Sequence, residues 1–402
     1  MEQALSDVKV LDLTHYLAGP YCTKLLADYG ADVIKVEKPG EGDGARRLGP
    51  FFNDDPHPEK SGLFLDLNTN KRSITLNLKT ETGKKIFLEL VKDTDIIVES
   101  FEPRVMPSLG LNYEKLEQVN PALVMTSISN FGETGPYRDY KASEPIAYGV
   151  GGAMFTNGMP DREPLKLGGT VVLFQGGLIA AGATLGAFYG SRYHGIGQHV
   201  DVALTETQAG FIDMRGAELI AYQYCGEVSK RTPPDVFGIQ FPPTVNPCED
   251  GYFNLVTGYV YWHRFPSAIG IPELADPKFA PRPDMDVATK EEFDNIFIPW
   301  CMQRTKRQIS DQLSAGGLLI EPLNTAADLF DDPHLREREY IVEFDHPVVG
   351  KLKHPGPPFK MSETPWRSIK PAPMLGEHND EVYETLGYTK EDLVRLRERD
   401  VI

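Results

Sequence analysis

Short apolar runs alternate with amphipathic stretches from the N-terminus to about residue 130. Val8 to Leu13 reads as a strand, Pro20 to Tyr29 as a helix with Cys22, Leu25, Leu26 and Tyr29 on one face, and Val33 to Glu37 as the next strand. Gly30 is placed to stop that helix. The pattern repeats as strand Ser73 to Leu78, a helix through Ile86, Phe87, Leu90 and Val91, strand Asp95 to Ser100, helix Tyr113 to Val119 and strand Leu123 to Ser129. This alternation predicts an α/β fold built on a mostly parallel, doubly wound, Rossmann-like sheet. Ligands of such sheets bind beyond the carboxyl ends of the strands, so function is expected in the loops after Leu13, Glu37, Leu78, Ser100 and Ser129. The first strand-to-helix turn reads THYLAGPYCTKLL and has no G-x-G-x-x-G, which argues against a bound dinucleotide.

Two stretches break the rhythm. The uncharged run from Leu167 to Ser191 approaches the roughly 20 residues of a membrane span. Gly168, Gly169, Gly176, Gly177, Gly182, Gly186 and Gly190, with Gln175, dilute its hydrophobicity and predict instead a helix buried in the α/β core. Proline and aromatic density then rises from Tyr224 through Pro283, marking a second, smaller α+β domain. The expected division is a large domain over 1–223, a small domain over 224–330, and a segment 331–402 that returns to the large one. That last segment reads as extended pieces before a helical pair: Asn379 is placed to cap the first helix, Gly387 to end it, and Thr389 with Asp392 to form a capping box for the second.

Composition narrows the function. At 402 residues, 41% hydrophobic and 25% charged, the chain is of ordinary globular composition. A net charge of -17 excludes nucleic acid or an anionic membrane surface as the expected partner, since both select a basic face. Cys22, Cys225, Cys248 and Cys301 are far apart and form no C-x-x-C, so neither a metal site nor a redox pair is expected. The opening MEQALSDVKV lacks the basic and apolar regions of a secretory signal, and a reducing, cytoplasmic setting follows as the expectation.

The run from Leu167 and its sequel RYHGIGQHVDVALTE resemble the class III CoA-transferases, whose members read G-x-x-x-G-D, a small-residue helix, G-x-G-Q and V-D-V in this order; the match fails at Val172 and Leu173. VLDLTHYLAGPYCTKLLADYGADVIKVEKPGEGD, NKRSITLNLKT, ESFEP, FGETGP, DPHLRERE and PMLGEHNDEV fall in the family's order along nearly the whole chain. The resemblance implies an interlocked-ring dimer with active sites at domain and subunit junctions. It implies a coenzyme A thioester as substrate, with no prosthetic group. In the family an aspartate attacks the acyl-CoA to give a mixed anhydride; Leu173 stands at that position and brings neither nucleophile nor charge.

The same resemblance places His15 and Tyr16 in the loop that contacts CoA and acyl groups, Lys38, Lys79 and Lys141 at basic or CoA-contacting positions, and Leu76, Ser100 and Phe101 along the adenine side. Ser108 stands where a relative has a phosphate-binding Arg. Glu144 aligns with an acid that assists acyl transfer, or else caps the helix starting near Pro145. Asp161, Glu163 and Asp201 are the other nearby carboxylates, and none replaces the nucleophile. Val172, Leu173 and Phe174, with Tyr16, Phe131 and Tyr137, form either a greasy acyl pocket for an aromatic acid or ordinary core.

The expected function is therefore the non-nucleophilic subunit of a heteromeric CoA-transferase, paired with a homologous chain that carries the aspartate. Among two-subunit members, the resemblance is to the one acting on succinyl-CoA and (R)-benzylsuccinate. Three alternatives stand beside it: a CoA-binding pseudoenzyme, a chain active alone through Glu144 or direct attack by the acceptor, and a 2-methylacyl-CoA racemase. The racemase needs a His and an Asp flanking the α-carbon, where this chain has Ser143 and Leu173.

Overall fold

The computed structural model describes residues 3–210, 215–231, 241–366 and 370–402. They divide into two compact units, one of Met1–Asn157, Leu165–Ser229 and Glu339–Ile402, the other of Gly158–Pro164 and Lys230–Arg338. Part of the proline- and aromatic-rich stretch that marks the expected small domain, 232–240, lies outside the described residues.

The first unit holds six parallel strands: β1 (Lys9–Leu13), β2 (Asp32–Glu37), β3 (Arg72–Thr75), β4 (Ile96–Glu99), β5 (Val124–Ser129) and β6 (Gln198–Ala203). Their spatial order is β3-β2-β1-β4-β5-β6, the doubly wound arrangement, with the direction of winding reversing between β1 and β4. The linking helices are α1 (Ala18–Asp28), α2 (Gly62–Leu67), α3 (Glu81–Val91), α4 (Val105–Leu109), α5 (Tyr113–Val119), α6 (Glu144–Val150) and α7 (Val171–His194). Burial on both faces explains why β4 reads as a nearly continuous apolar run, IIVE, and why β5, VMTSIS, carries only small hydroxyl side chains among its apolar ones. Leu11, Leu13, Ile74, Ile97 and Met125 meet Ile86, Phe87, Leu90 and Val91 of α3 on one face. Val10, Val33, Ile96, Val98 and Val124 meet Cys22 and Leu26 of α1 and Ala180 and Ala181 of α7 on the other.

Gly30 ends α1 at φ +104°, the backbone region that favours glycine. The hairpin of β10 (Ile341–His346) and β11 (Gly350–Pro355) precedes two terminal helices, Asn379–Thr385 and Lys390–Glu398. Thr389 and Asp392 form the expected capping box. Asn379 does not cap: His378 takes that position, and the Asn379 amide brackets β3, accepting the Thr75 N–H at 2.8 Å and donating to Thr75 Oγ1 at 2.8 Å. An edge-strand backbone group is thereby satisfied from the C-terminal segment.

In the second unit, β7 (Val245–Cys248), β8 (Gly251–Val256) and β9 (Leu319–Pro322) form an antiparallel sheet. With helices Val287–Cys301 and Lys306–Ala315 it encloses a core rich in aromatic rings, including Phe253, Phe265, Phe279, Phe293 and Phe297.

α7 departs from the expectation of a buried helix. Val172, Gly176, Gly177, Ala180, Ala181, Thr184, Ala187 and Ser191 are buried, but Leu178, Tyr189 and Tyr193 are exposed. Two of its glycines permit close packing: a Cβ on Gly176 would lie 2.2 Å from Leu204 Cδ2, and one on Gly177 2.4 Å from the Ala18 carbonyl oxygen. Gly182 and Gly186 face open space. Gly168 and Gly169 precede the helix, and they too meet nothing.

Candidate functional site

A cleft of about 700 Å³ opens beyond the carboxyl ends of β1, β4 and β5, where the winding reverses. Its walls come from the β1–α1 loop (His15 to Gly19), the β4–α4 loop (Ser100 to Arg104), Ile128 to Asn130, the segment Arg138 to Glu144, and Leu173 and Leu204. The volume lies in the range of ordinary small-molecule sites.

Of the residues predicted from sequence, His15, Tyr16, Ser100, Phe101, Lys141, Glu144 and Leu173 meet in this cleft. The His15 N–H donates to Ser100 Oγ at 3.0 Å, and the His15 and Phe101 rings are 5.6 Å apart, which ties the two loops together. Lys38, Leu76 and Lys79 are not in it. Lys38 is exposed and ion-paired with Glu41, Lys79 is exposed, and Leu76 is packed into the core against the α3 side of the sheet. The greasy pocket assembles only in part. Val172 is buried with Ala147 and Tyr148, Phe174 packs edge-on against Tyr21 at 4.9 Å, and Phe131 and Tyr137 pack on each other outside the cleft lining. Asp161 and Glu163 are exposed in the second unit, and Asp201 accepts the Glu133 N–H at 2.9 Å.

Leu173 lies in the first turn of α7, where the helix dipole favours an anion. Leucine makes no use of that field. Glu144 does: its Oε1 accepts the Val172 N–H at 3.3 Å, and its Oε2 is 3.0 Å from Lys166 Nζ. It does not cap its own helix, for Ser143 holds that place. Asp139, the next carboxylate on the wall, is gripped by Arg104 and Arg138, which hold it well below the usual carboxylate range. Neither Arg was singled out by sequence reasoning. Arg104 directly follows the quoted ESFEP motif and Arg138 lies three residues before Lys141, so the signal was present beside residues already chosen.

Beneath the cleft runs a buried charge network. Asp12, at the inner end of β1, is 3.0 Å from Lys71 and 3.8 Å from Lys35; Lys35 pairs with Asp43 at 2.9 Å and donates to the Thr14 carbonyl at 2.9 Å. Burial pushes the Asp12 carboxyl up, but Lys35, Lys71, Thr14 and Thr23 outweigh it and hold it at about 2. Burial brings Lys71 down to about 8 in spite of Asp12. Arg46 binds Glu37 at 2.8 Å and Glu59 at 2.6 Å with its guanidinium 3.6 Å from the Phe64 ring centroid. Asp12, Lys35 and Glu37 lie on strands that periodicity alone would fill with apolar residues. Glu99, at the end of β4 beside Ser100, has no such cation: burial raises it to about 7, although it accepts the Phe101 N–H at 2.8 Å. No group of three or more metal-binding side chains occurs among the described residues.

Comparison with known proteins places this arrangement. A family model described as CoA-transferase family III matches residues 5–379. The chain is 33% identical over 402 residues to succinyl-CoA–D-citramalate CoA-transferase of Chloroflexus aurantiacus, with 99% of this chain and 98% of that protein covered. It is 34% identical over 420 residues to formyl-CoA:oxalate CoA-transferase of Streptomyces avermitilis, with 100% of each covered. The crystal structure of a CAIB/BAIF family protein from Brucella suis matches with a TM-score of 0.84 and 32% identity, over 96% of this chain and 100% of that one.

Proposed function

The chain belongs to CoA-transferase family III, and from that premise we propose that it is the non-nucleophilic subunit of a heteromeric CoA-transferase. The substrates of this family are CoA thioesters, and the cleft is the proposed place for one. Arg104, Arg138 and Lys141 supply cations at its wall for the CoA phosphates, taking over from the Arg replaced by Ser108. His15, Tyr16, Ser100 and Phe101 line the remainder on this reading, while Lys38, Leu76 and Lys79 stay outside it.

One observation carries the assignment: three carboxylates line the cleft, Glu102, Asp139 and Glu144, and on the resemblance none of them stands at the family's nucleophile position. On the proposed reading Leu173 stands at the nucleophile's position, Glu144 is committed to the α7 N-terminus and Lys166, and Asp139 is committed to two arginines. A carboxylate held by cations and backbone N–H groups is a poor nucleophile, because its charge is already spent on them. A homologous chain supplies the aspartate, in an interlocked cytoplasmic assembly, with succinyl-CoA as donor and a benzylsuccinate-like acid as acceptor. The chain is purified alone and with an Asp-bearing homologue, and transfer from succinyl-CoA is measured. Activity only in the pair supports the assignment; full activity of the lone chain contradicts it.

A second reading, a chain active by itself, is supported by its full-length match to a relative named as a CoA-transferase. It requires direct attack of the acceptor carboxylate on the thioester, with the closed site supplying proximity.

A further inference from the structure

Tyr16 is the one aromatic residue with a positive φ among the described residues; the other non-glycine cases are Asn53, Asp54, Asn70, Glu339 and Asp400. At φ 67° the backbone is in a region that bulky side chains rarely adopt, and such conformations persist only where their surroundings over-determine them. Here they do. The Tyr16 N–H donates to Asp43 Oδ1 at 2.9 Å, and that oxygen also accepts the Ala45 N–H at 2.8 Å. Asp43 is itself buried, ion-paired with Lys35 at 2.9 Å, and its own N–H donates to Glu37 Oε2 at 2.8 Å. The acceptor that fixes Tyr16 thus belongs to the charge network under the cleft.

The ring is fixed from below as well. A Cβ on Gly44 would lie 2.4 Å from Tyr16 Cε1 and Cζ and 2.7 Å from its hydroxyl, so the phenol rests directly on the Gly44 backbone. Any larger residue there displaces it. Yet the side chain so held is 54% exposed, and it forms part of the cleft wall. Burial of the ring does not account for a strained backbone, a buried ion pair and a glycine all spent on one residue. A surface presented to a ligand does.

We propose that Asp43 and Gly44, neither of which lines the cleft, are positioning residues that hold Tyr16 as a rigid aromatic wall against the acyl-thioester arm of a CoA substrate. This rests on the reading of the cleft as a CoA-thioester site. Calorimetric titration of the full chain with acetyl-CoA tests it in four forms: unaltered, Gly44→Ala, Tyr16→Gly, and the two combined. Gly44→Ala and Tyr16→Gly are each expected to weaken binding by about tenfold, the scale of losing a well-placed aromatic contact. In the Tyr16→Gly background, Gly44→Ala is expected to cost less than about twofold further, because the ring it displaces is gone. Equal losses from Gly44→Ala in both backgrounds would mean that Gly44 serves folding alone and would overturn the inference. Should Gly44→Ala by itself fail to fold, Tyr16→Gly carries the affinity test without the clash, and unchanged affinity overturns it. Absence of acetyl-CoA binding by the unaltered chain overturns the CoA-site reading together with this inference; binding that neither single variant alters overturns this inference alone.

Discussion

The Glu144 carboxylate accepts the backbone N–H of Val172 at 3.3 Å, and so occupies the N-terminus of α7 one residue before Leu173. With Lys166 on its other oxygen, it is a helix anchor lying beside an apolar position. Its chemistry follows from those partners. With one oxygen on the helix end and the other on an ammonium, the carboxylate is not free to attack a substrate.

Glu144→Gln is accordingly expected to leave turnover of the assembled transferase within about threefold, since the amide oxygen still accepts the Val172 N–H. Loss of a true general acid or base costs about a hundredfold or more. Steady-state rates with succinyl-CoA distinguish the two outcomes.

Glu99 gives stability a pH dependence of definite sign. Its folded-state pKa is raised to about 7 by burial, above the ordinary carboxyl value, so the folded chain retains a proton that the unfolded chain has released. Stability from this group is present at low pH and falls as pH rises towards 7, by up to about 3 kcal/mol. Urea melts of the unaltered chain and Glu99→Gln between pH 5 and pH 8, in roughly unit steps, should diverge in that direction. Parallel curves would show that Glu99 ionises freely.

Arg46 is fully buried between Glu37, Glu59 and the Phe64 ring. Arg46→Met leaves Glu37 without its main partner and is expected to cost about 3–5 kcal/mol in chemical denaturation. Arg46→Lys recovers only part of this, because an ammonium cannot reproduce the two-pronged contact to Glu37.

The glycines of α7 divide by what surrounds them. Gly177→Ala forces a Cβ against the Ala18 carbonyl and is expected to destabilise by about 1–3 kcal/mol. Gly182→Ala meets open space and is expected to stabilise the isolated chain by about 0.5–1 kcal/mol through helix propensity. Thermal melts of the two variants should move in opposite directions.

The alternation of apolar runs made the sheet legible because parallel strands are buried on both faces. Helix Tyr113–Val119 falls where periodicity puts it, and the other elements differ by a few residues at their ends. Less of the site could be read. Lys38 and Lys79 share a motif with cleft residues or lie near them in sequence, but both are exposed and neither lines this cleft, because a lysine's long stem lets it reach solvent. Leu76 is an apolar residue in an apolar strand environment, and core packing claims it. Arg104 and Arg138 lie beside motif residues and Asp43 ends one, but charged residues in loops look alike until the fold shows which of them face a cleft or a buried partner. The half-exposure of α7 was hidden for the opposite reason: small apolar residues read the same on a buried face and on a bare one.

On the proposed assignment this chain contributes a site without a nucleophile, and trapping the covalent intermediate shows which chain carries it. The assembled transferase is incubated with succinyl-CoA, treated with hydroxylamine, and both chains are mapped by mass spectrometry. A hydroxamate is expected on the aspartate of the homologous chain and none on this one. A hydroxamate on any carboxylate of this chain, Glu144 included, would contradict the assignment.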